Sequence, residues 1–166
     1  MSDSPLPVLP REVPRNNSLG CLAPHFRETL ATVIAEVRSE GYFPLVYETC
    51  RDNARQRYLF GFGREYDDGR GRVTNSKNAD HTWHGFGLAA DVICAEDRWD
   101  APADFWNSLE RACEKFGLAW GGDWPTMRDL PHVQWGRPMR RSPSIRAAQV
   151  RDAGGLVAVW KEVGAS

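Results

Sequence analysis

A chain of 166 residues with 42% hydrophobic and 26% charged side chains can bury one core but is too short for two full domains, and it lacks the bias of disordered or membrane-embedded chains. Lys and Arg number 21 against 22 Asp and Glu, so the net charge of −1 supplies no broad field for nucleic acid or an anionic membrane surface. No apolar run approaches the ~20 residues that span a bilayer, so stable membrane insertion is not expected, and residues 1–18 have neither the basic start nor the apolar stretch of an export signal.

Residues 1–22 hold Pro5, Pro7, Pro10 and Pro14 among polar neighbours, the composition of an extended arm rather than of a packed element. One domain, residues 23–166, is expected to follow. Phe26, Leu30, Val33, Ile34 and Val37 recur at helical spacing and Gly41 stops the pattern, which predicts an amphipathic helix. Phe43 to Thr49 is rich in apolar, aromatic and β-branched residues and reads as a strand leading to Arg51. A second helix is expected over Asp52 to Phe60, followed by a long glycine-rich loop from Gly61 to Asp80, a length that in compact domains goes with function or mobility. Leu88 to Cys94 reads as a buried strand. Pro102 opens a helix carrying Phe105, Leu109, Ala112, Cys113 and Phe116 on one face and ending at Gly117. Short strands at Leu118 to Trp120 and His132 to Trp135 follow, and then a helix from Ser144 to Val163 that Gly154-Gly155 can divide. Without a regular βαβ rhythm, these elements predict an α+β fold with a small, mostly antiparallel sheet and flanking helices.

Cys21, Cys50, Cys94 and Cys113 lack the paired spacing of a structural zinc site or redox motif. With no export signal, four reduced thiols of a cytosolic product are expected. His25 and His81 are expected to be structural, with an outer-shell place open to His81.

Chemistry concentrates in two segments. In Thr82-Trp83-His84-Gly85-Phe86-Gly87-Leu88-Ala89-Ala90-Asp91, an imidazole and a carboxylate bracket a glycine turn into an apolar strand. A carboxylate on that strand needs a cation, a set of donors or a raised pKa. Downstream, Asp129-Leu130-Pro131-His132-Val133-Gln134-Trp135 brings a second imidazole with an acid three residues earlier. Two histidines and one carboxylate leave a fourth zinc position open, the pattern of a catalytic site.

Thr82, His84, Gly87, Ala89 and Asp91, followed by Asp129, His132 and Gln134, resemble the signature of the D-Ala-D-Ala carboxypeptidase and L-alanyl-D-glutamate peptidase family of zinc enzymes, peptidase family M15, with phage endolysins the nearest in kind. The run Trp120-Gly121-Gly122-Asp123-Trp124 is similar to the one that precedes the last histidine there, and the likeness extends from about Arg51 to Trp135. It implies the fold of zinc D-Ala-D-Ala peptidases and hedgehog-like domains, Zn2+ on His84, Asp91 and His132, and Asp129 as the catalytic carboxylate. It further implies Arg51 at the substrate carbonyl or oxyanion and Gln56 as the glutamine that follows it. Thr82, Gln56 and Gln134 are candidate substrate contacts. Cys50 stands where the family usually has Ser or Gly.

The function expected from this resemblance is hydrolysis of the L-alanyl-D-glutamate bond in the peptidoglycan stem peptide by an endolysin. Such an enzyme would be made in the cytoplasm of a phage-infected host, released to the wall through a separate pore, and act as a monomer. The alternatives are a D-Ala-D-Ala carboxypeptidase and a non-catalytic wall- or metal-binding module.

Overall fold

A computed structural model describes residues 8–136 and 141–166. Helix α1, Pro24–Ser39, starts on a proline in its first turn and buries Phe26, Leu30, Val33, Ile34 and Val37, the stripe its periodicity predicts. Helix α2, Asn53–Gly61, is capped by Asp52, whose side chain accepts from the Arg55 amide. Helix α3, Ala103–Phe116, buries Phe105, Leu109, Ala112 and Cys113 and ends on the left-handed Gly117. Helix α4, Ile145–Glu162, is interrupted at Gly155, whose φ of 74° and ψ of −177° are non-helical, so the double glycine does divide it.

Strands β1 (Pro44–Glu48), β2 (Ala89–Cys94), β3 (Ala119–Trp120) and β4 (His132–Gln134) form one sheet in the order β1-β2-β4-β3, with every pairing antiparallel. The fold is therefore the expected α+β class. Strand β2 is buried along its whole length. Ala90, Val92 and Cys94 join the core built with α1 and α3. Side chains alternate along a strand, which turns Asp91 and Ile93 to the opposite face, where the chemistry lies.

The glycine-rich stretch after α2 holds no helix or longer strand until a short turn at Ala79–His81. Residues 8–18 likewise carry no regular structure, yet they are tied down. The Thr49 amide donates to the Asn16 carbonyl at 2.7 Å, and the Arg55 Nη1 donates to the Val13 carbonyl at 2.7 Å. This arm returns alongside β1 and corrects the reading of four reduced thiols. Cys21 and Cys50 form a disulfide, with Cα atoms 6.3 Å apart, while Cys94 and Cys113 are free and buried. Spacing along the chain could not show this pairing, because it depends on the arm doubling back over 29 residues.

Candidate active site

Three elements deliver the donor set. Strands β2 and β4 place Asp91 opposite His132 in register. His84 sits on a single 3-10 turn, Trp83–Phe86, directly before β2. Thr82 caps that turn, its hydroxyl accepting from the His84 amide at 3.3 Å. Gly87 closes it in the left-handed region, φ 67°, with its N–H directed to the carbonyls of Trp83 and His84. A Cβ at Gly87 would come within 2.6 Å of the Cys21 carbonyl, so this position needs glycine both for its φ and for its close neighbour. The indole of Trp160 on α4 donates to the Phe86 carbonyl at 2.7 Å and fixes the turn from behind.

The hydrogen bonds at the outer edge of each imidazole determine what faces inward. His84 Nδ1 lies 2.6 Å from the Thr49 carbonyl, which can only accept, so a proton is on Nδ1 and Nε2 is the nitrogen turned inward. That atom is buried without a hydrogen-bond partner and lies 3.3 Å from Asp91 Oδ1. His132 Nε2 meets the Gln134 amide oxygen at 2.9 Å, leaving Nδ1 bare toward Asp91 Oδ1 at 3.8 Å. The donor atoms of the three groups all lie within 4.8 Å of one another, close enough for one cation to hold all three. The residues thus fit a divalent metal with two imidazole ligands and one carboxylate, each imidazole oriented by a hydrogen bond at its far nitrogen.

Electrostatics agrees with that assignment. Burial, followed by the charge of His84, pulls the His132 imidazole down to about 3, so it is neutral and able to ligate at neutral pH. Burial pushes the Asp91 carboxyl up, but His84 and Arg51 outweigh it and hold the group well below the usual carboxylate range. Asp129 moves the other way. Burial and the nearby charge of Asp91 push its carboxyl up to about 6, partly offset by His84 and Arg51.

Asp129 is positioned by the Trp120-to-Trp124 run. Its amide donates to the Gly121 carbonyl at 3.1 Å, and its own carbonyl accepts from the His132 amide at 3.1 Å. A Cβ on Gly121 would collide with the Asp129 carbonyl, so that glycine permits the approach. Trp120 Nε1 donates to the Leu130 carbonyl at 2.6 Å, and the Trp124 ring lies 4.9 Å from that of His132.

Arg51 reaches the same centre, directed inward at the ligand. Its Nη2 donates to Asp91 Oδ2 at 2.6 Å and its Nε to Glu48 at 3.0 Å, leaving Nη1 without a partner among the described residues. The two oxygens of Asp91 are thereby divided, one toward the imidazoles and one toward Arg51. Gln56 is fully buried and donates to Thr74 Oγ1 at 3.2 Å and the Ser76 carbonyl at 2.6 Å, pinning the glycine-rich loop. Gln134 is buried beside His132, and Thr82 is engaged in its cap. His25 contacts the Gly164 carbonyl at 3.3 Å, and the exposed His81 accepts from Ser76 through its backbone. Sequence reasoning missed Glu48 and Thr49, whose only signal is a polar pair closing an otherwise apolar strand.

The sequence profile of a peptidase family described as D-alanyl-D-alanine carboxypeptidase matches residues 75–135, the stretch that carries all three donors and Asp129. A peptidoglycan L-alanyl-D-glutamate endopeptidase of Bacillus subtilis, CwlK, is 23% identical over 124 residues, 68% of this chain and 72% of the relative. Over this stretch the chain is similar to the M15 peptidases. The M15 fold is also recognisable in three dimensions. A complex of VanYB with D-alanine-D-alanine superposes with a TM-score of 0.51 at 15% identity, covering 86% of this chain and 82% of the other. The L,D-carboxypeptidase DacB of Streptococcus pneumoniae superposes with a TM-score of 0.50 at 19% identity, covering 70% and 67%. The candidate donors His84, Asp91 and His132 lie on the turn before β2, on β2 and on β4.

Proposed function

We propose that this chain is a zinc peptidase of the M15 kind that hydrolyses the L-alanyl-D-glutamate bond of the peptidoglycan stem peptide. The observation that carries the reading is the convergence of His84 Nε2, His132 Nδ1 and an Asp91 oxygen, with the titratable Asp129 beside them. His84, Asp91 and His132 would hold the zinc, which would supply Lewis acidity and make water acidic enough to ionise near neutral pH. Asp129, ionised at neutral pH, takes the proton of the attacking water and returns it to the leaving amine nitrogen. General acid–base help of this kind contributes ~10²–10⁴ in rate. The remaining Nη1 of Arg51 is directed to the carbonyl oxygen that becomes the oxyanion. To Thr82 and Gln134 we assign support of His84 and His132, and to Gln56 the anchoring of the loop beside the cleft.

The bond is chosen on the likeness to the Bacillus subtilis endopeptidase and to phage lytic enzymes in the motifs of Thr82 to Asp91. The description of the matching family, D-alanyl-D-alanine carboxypeptidase, favours removal of terminal D-Ala as the second reading. A lytic role at the wall accords with the Cys21–Cys50 disulfide, a bond that persists outside the reducing cytosol. No helix among the described residues is long and apolar enough to cross a membrane.

Purified protein should hold close to one equivalent of zinc and clear a suspension of cell walls, with clearing abolished by a chelator. The His84→Ala variant should lose both the metal and the activity. Clearing that survives chelation would contradict a metal-dependent peptidase.

A further inference from the structure

We propose that Glu48, gripped on its far side by Arg55, is a positioning residue that holds the Arg51 guanidinium on Asp91 and balances the charge of the metal centre; this rests on the zinc-peptidase reading. Glu48 is 2% exposed, so its charge is stable only with partners. It has two. Oε1 accepts from Arg55 Nε at 2.7 Å and Oε2 from Arg51 Nε at 3.0 Å.

Its place comes from an irregularity in β1. The pairing runs Val46 to Val92 and then Glu48 to Asp91, skipping a residue. The bulge sets Glu48, in place of Tyr47, directly across from the metal-binding carboxylate, and like charges in that relation repel. Arg51 relieves the repulsion by bridging the two acids, with Nε on Glu48 and Nη2 on Asp91 Oδ2. Held at both sites, the guanidinium cannot swing away, and its remaining Nη1 has a set direction. Glu48 and Asp91 against Arg51 and Arg55 make two negative and two positive charges, so these four side chains carry no net charge among themselves. Removing the charge of Glu48 leaves a surplus positive charge next to the cation site. Removing that of Arg55 leaves a surplus negative one.

Only Glu48→Gln should therefore weaken zinc binding, whereas a merely structural role would weaken it in both variants. Zinc Kd is measured by competition with a chromophoric chelator for the wild type, Glu48→Gln and Arg55→Gln, together with circular dichroism for folding, and kcat and KM on cell-wall peptide at saturating zinc. Glu48→Gln should raise the zinc Kd about 10–100-fold, the usual cost of losing a residue that orients a ligand. At saturating zinc it should lower kcat more than it changes KM. Arg55→Gln should leave the Kd unchanged or tighter. A rise in Kd for both variants alike, or a Glu48→Gln protein with wild-type Kd and kcat, overturns the proposal. Should Glu48→Gln fail to fold, Arg55→Gln decides alone, because a raised Kd there contradicts the charge argument and an unchanged or lowered one supports it. A wild-type protein that bound no zinc would instead overturn the metal-centre reading beneath it.

Discussion

Asp129 is the residue on which the proposed chemistry turns, and its environment makes a kinetic prediction. Its carboxyl is pushed up to about 6 by burial and by Asp91, and it works as a base only when ionised. Activity should therefore be present above the folded pKa and fall as pH drops through it. A bound dication favours the carboxylate, so kcat/KM should rise with unit slope in log–log form and level off at or slightly below about pH 6. Asp129→Asn should lower kcat/KM by ~10²–10⁴ and retain zinc, as measured by metal analysis alongside peptide hydrolysis. A level profile in the wild type, or an acid limb that survives the substitution, would remove Asp129 from the base role. His132, pulled down to about 3, stays neutral across this range and is not the source of the limb. The candidate donors were legible in the sequence because few residue types can ligate zinc and the motif order is specific. Glu48 was not, since an acid at a strand end looks like any solvated charge until Arg51 and Arg55 are seen closing over it.

At the scale of elements, the site depends on how a turn, a strand pair and an arm are locked together. The antiparallel register of β2 and β4 brings Asp91 across from His132, and the turn holding His84 reverses at Gly87. Gly87→Ala would need a left-handed φ of 67° and would place a methyl 2.6 Å from the Cys21 carbonyl. A loss of roughly 1–3 kcal/mol in unfolding free energy, read from denaturant titration, is expected from a residue forced into that region. The disulfide joins the arm to the residue next to Arg51 across 29 positions. Cys50→Ser, with Cys21→Ser to avoid a stray thiol, should cost about 2–4 kcal/mol, a magnitude set by loop closure in the unfolded chain. A reductant should reproduce the loss in the wild type and leave the double variant unaffected. Helices α1 and α3 were readable from their apolar stripes and glycine stops, as were β1 and β2 from composition. The pairing of Cys21 with Cys50, the bulge in β1 and the burial of Gln134 beside His132 were not, because each depends on contacts between distant segments.

Over the whole molecule, one core of α1, α3 and the inner face of β2 supports a centre built on the opposite face of the same strand, so metal occupancy and folding are coupled. Zinc bound to the native state alone should stabilise it by about 2.7 kcal/mol at a hundredfold excess over Kd, seen as a rise in Tm that chelation reverses and that His84→Ala abolishes. The central claim is hydrolysis of one bond in the stem peptide, and mass spectrometry of fragments released from purified peptidoglycan tests it most directly. The account predicts glycan fragments ending in L-Ala together with peptides bearing a new amino-terminal D-Glu, formed with zinc and absent with chelator. Release of free D-Ala with the L-alanyl-D-glutamate bond intact would contradict it.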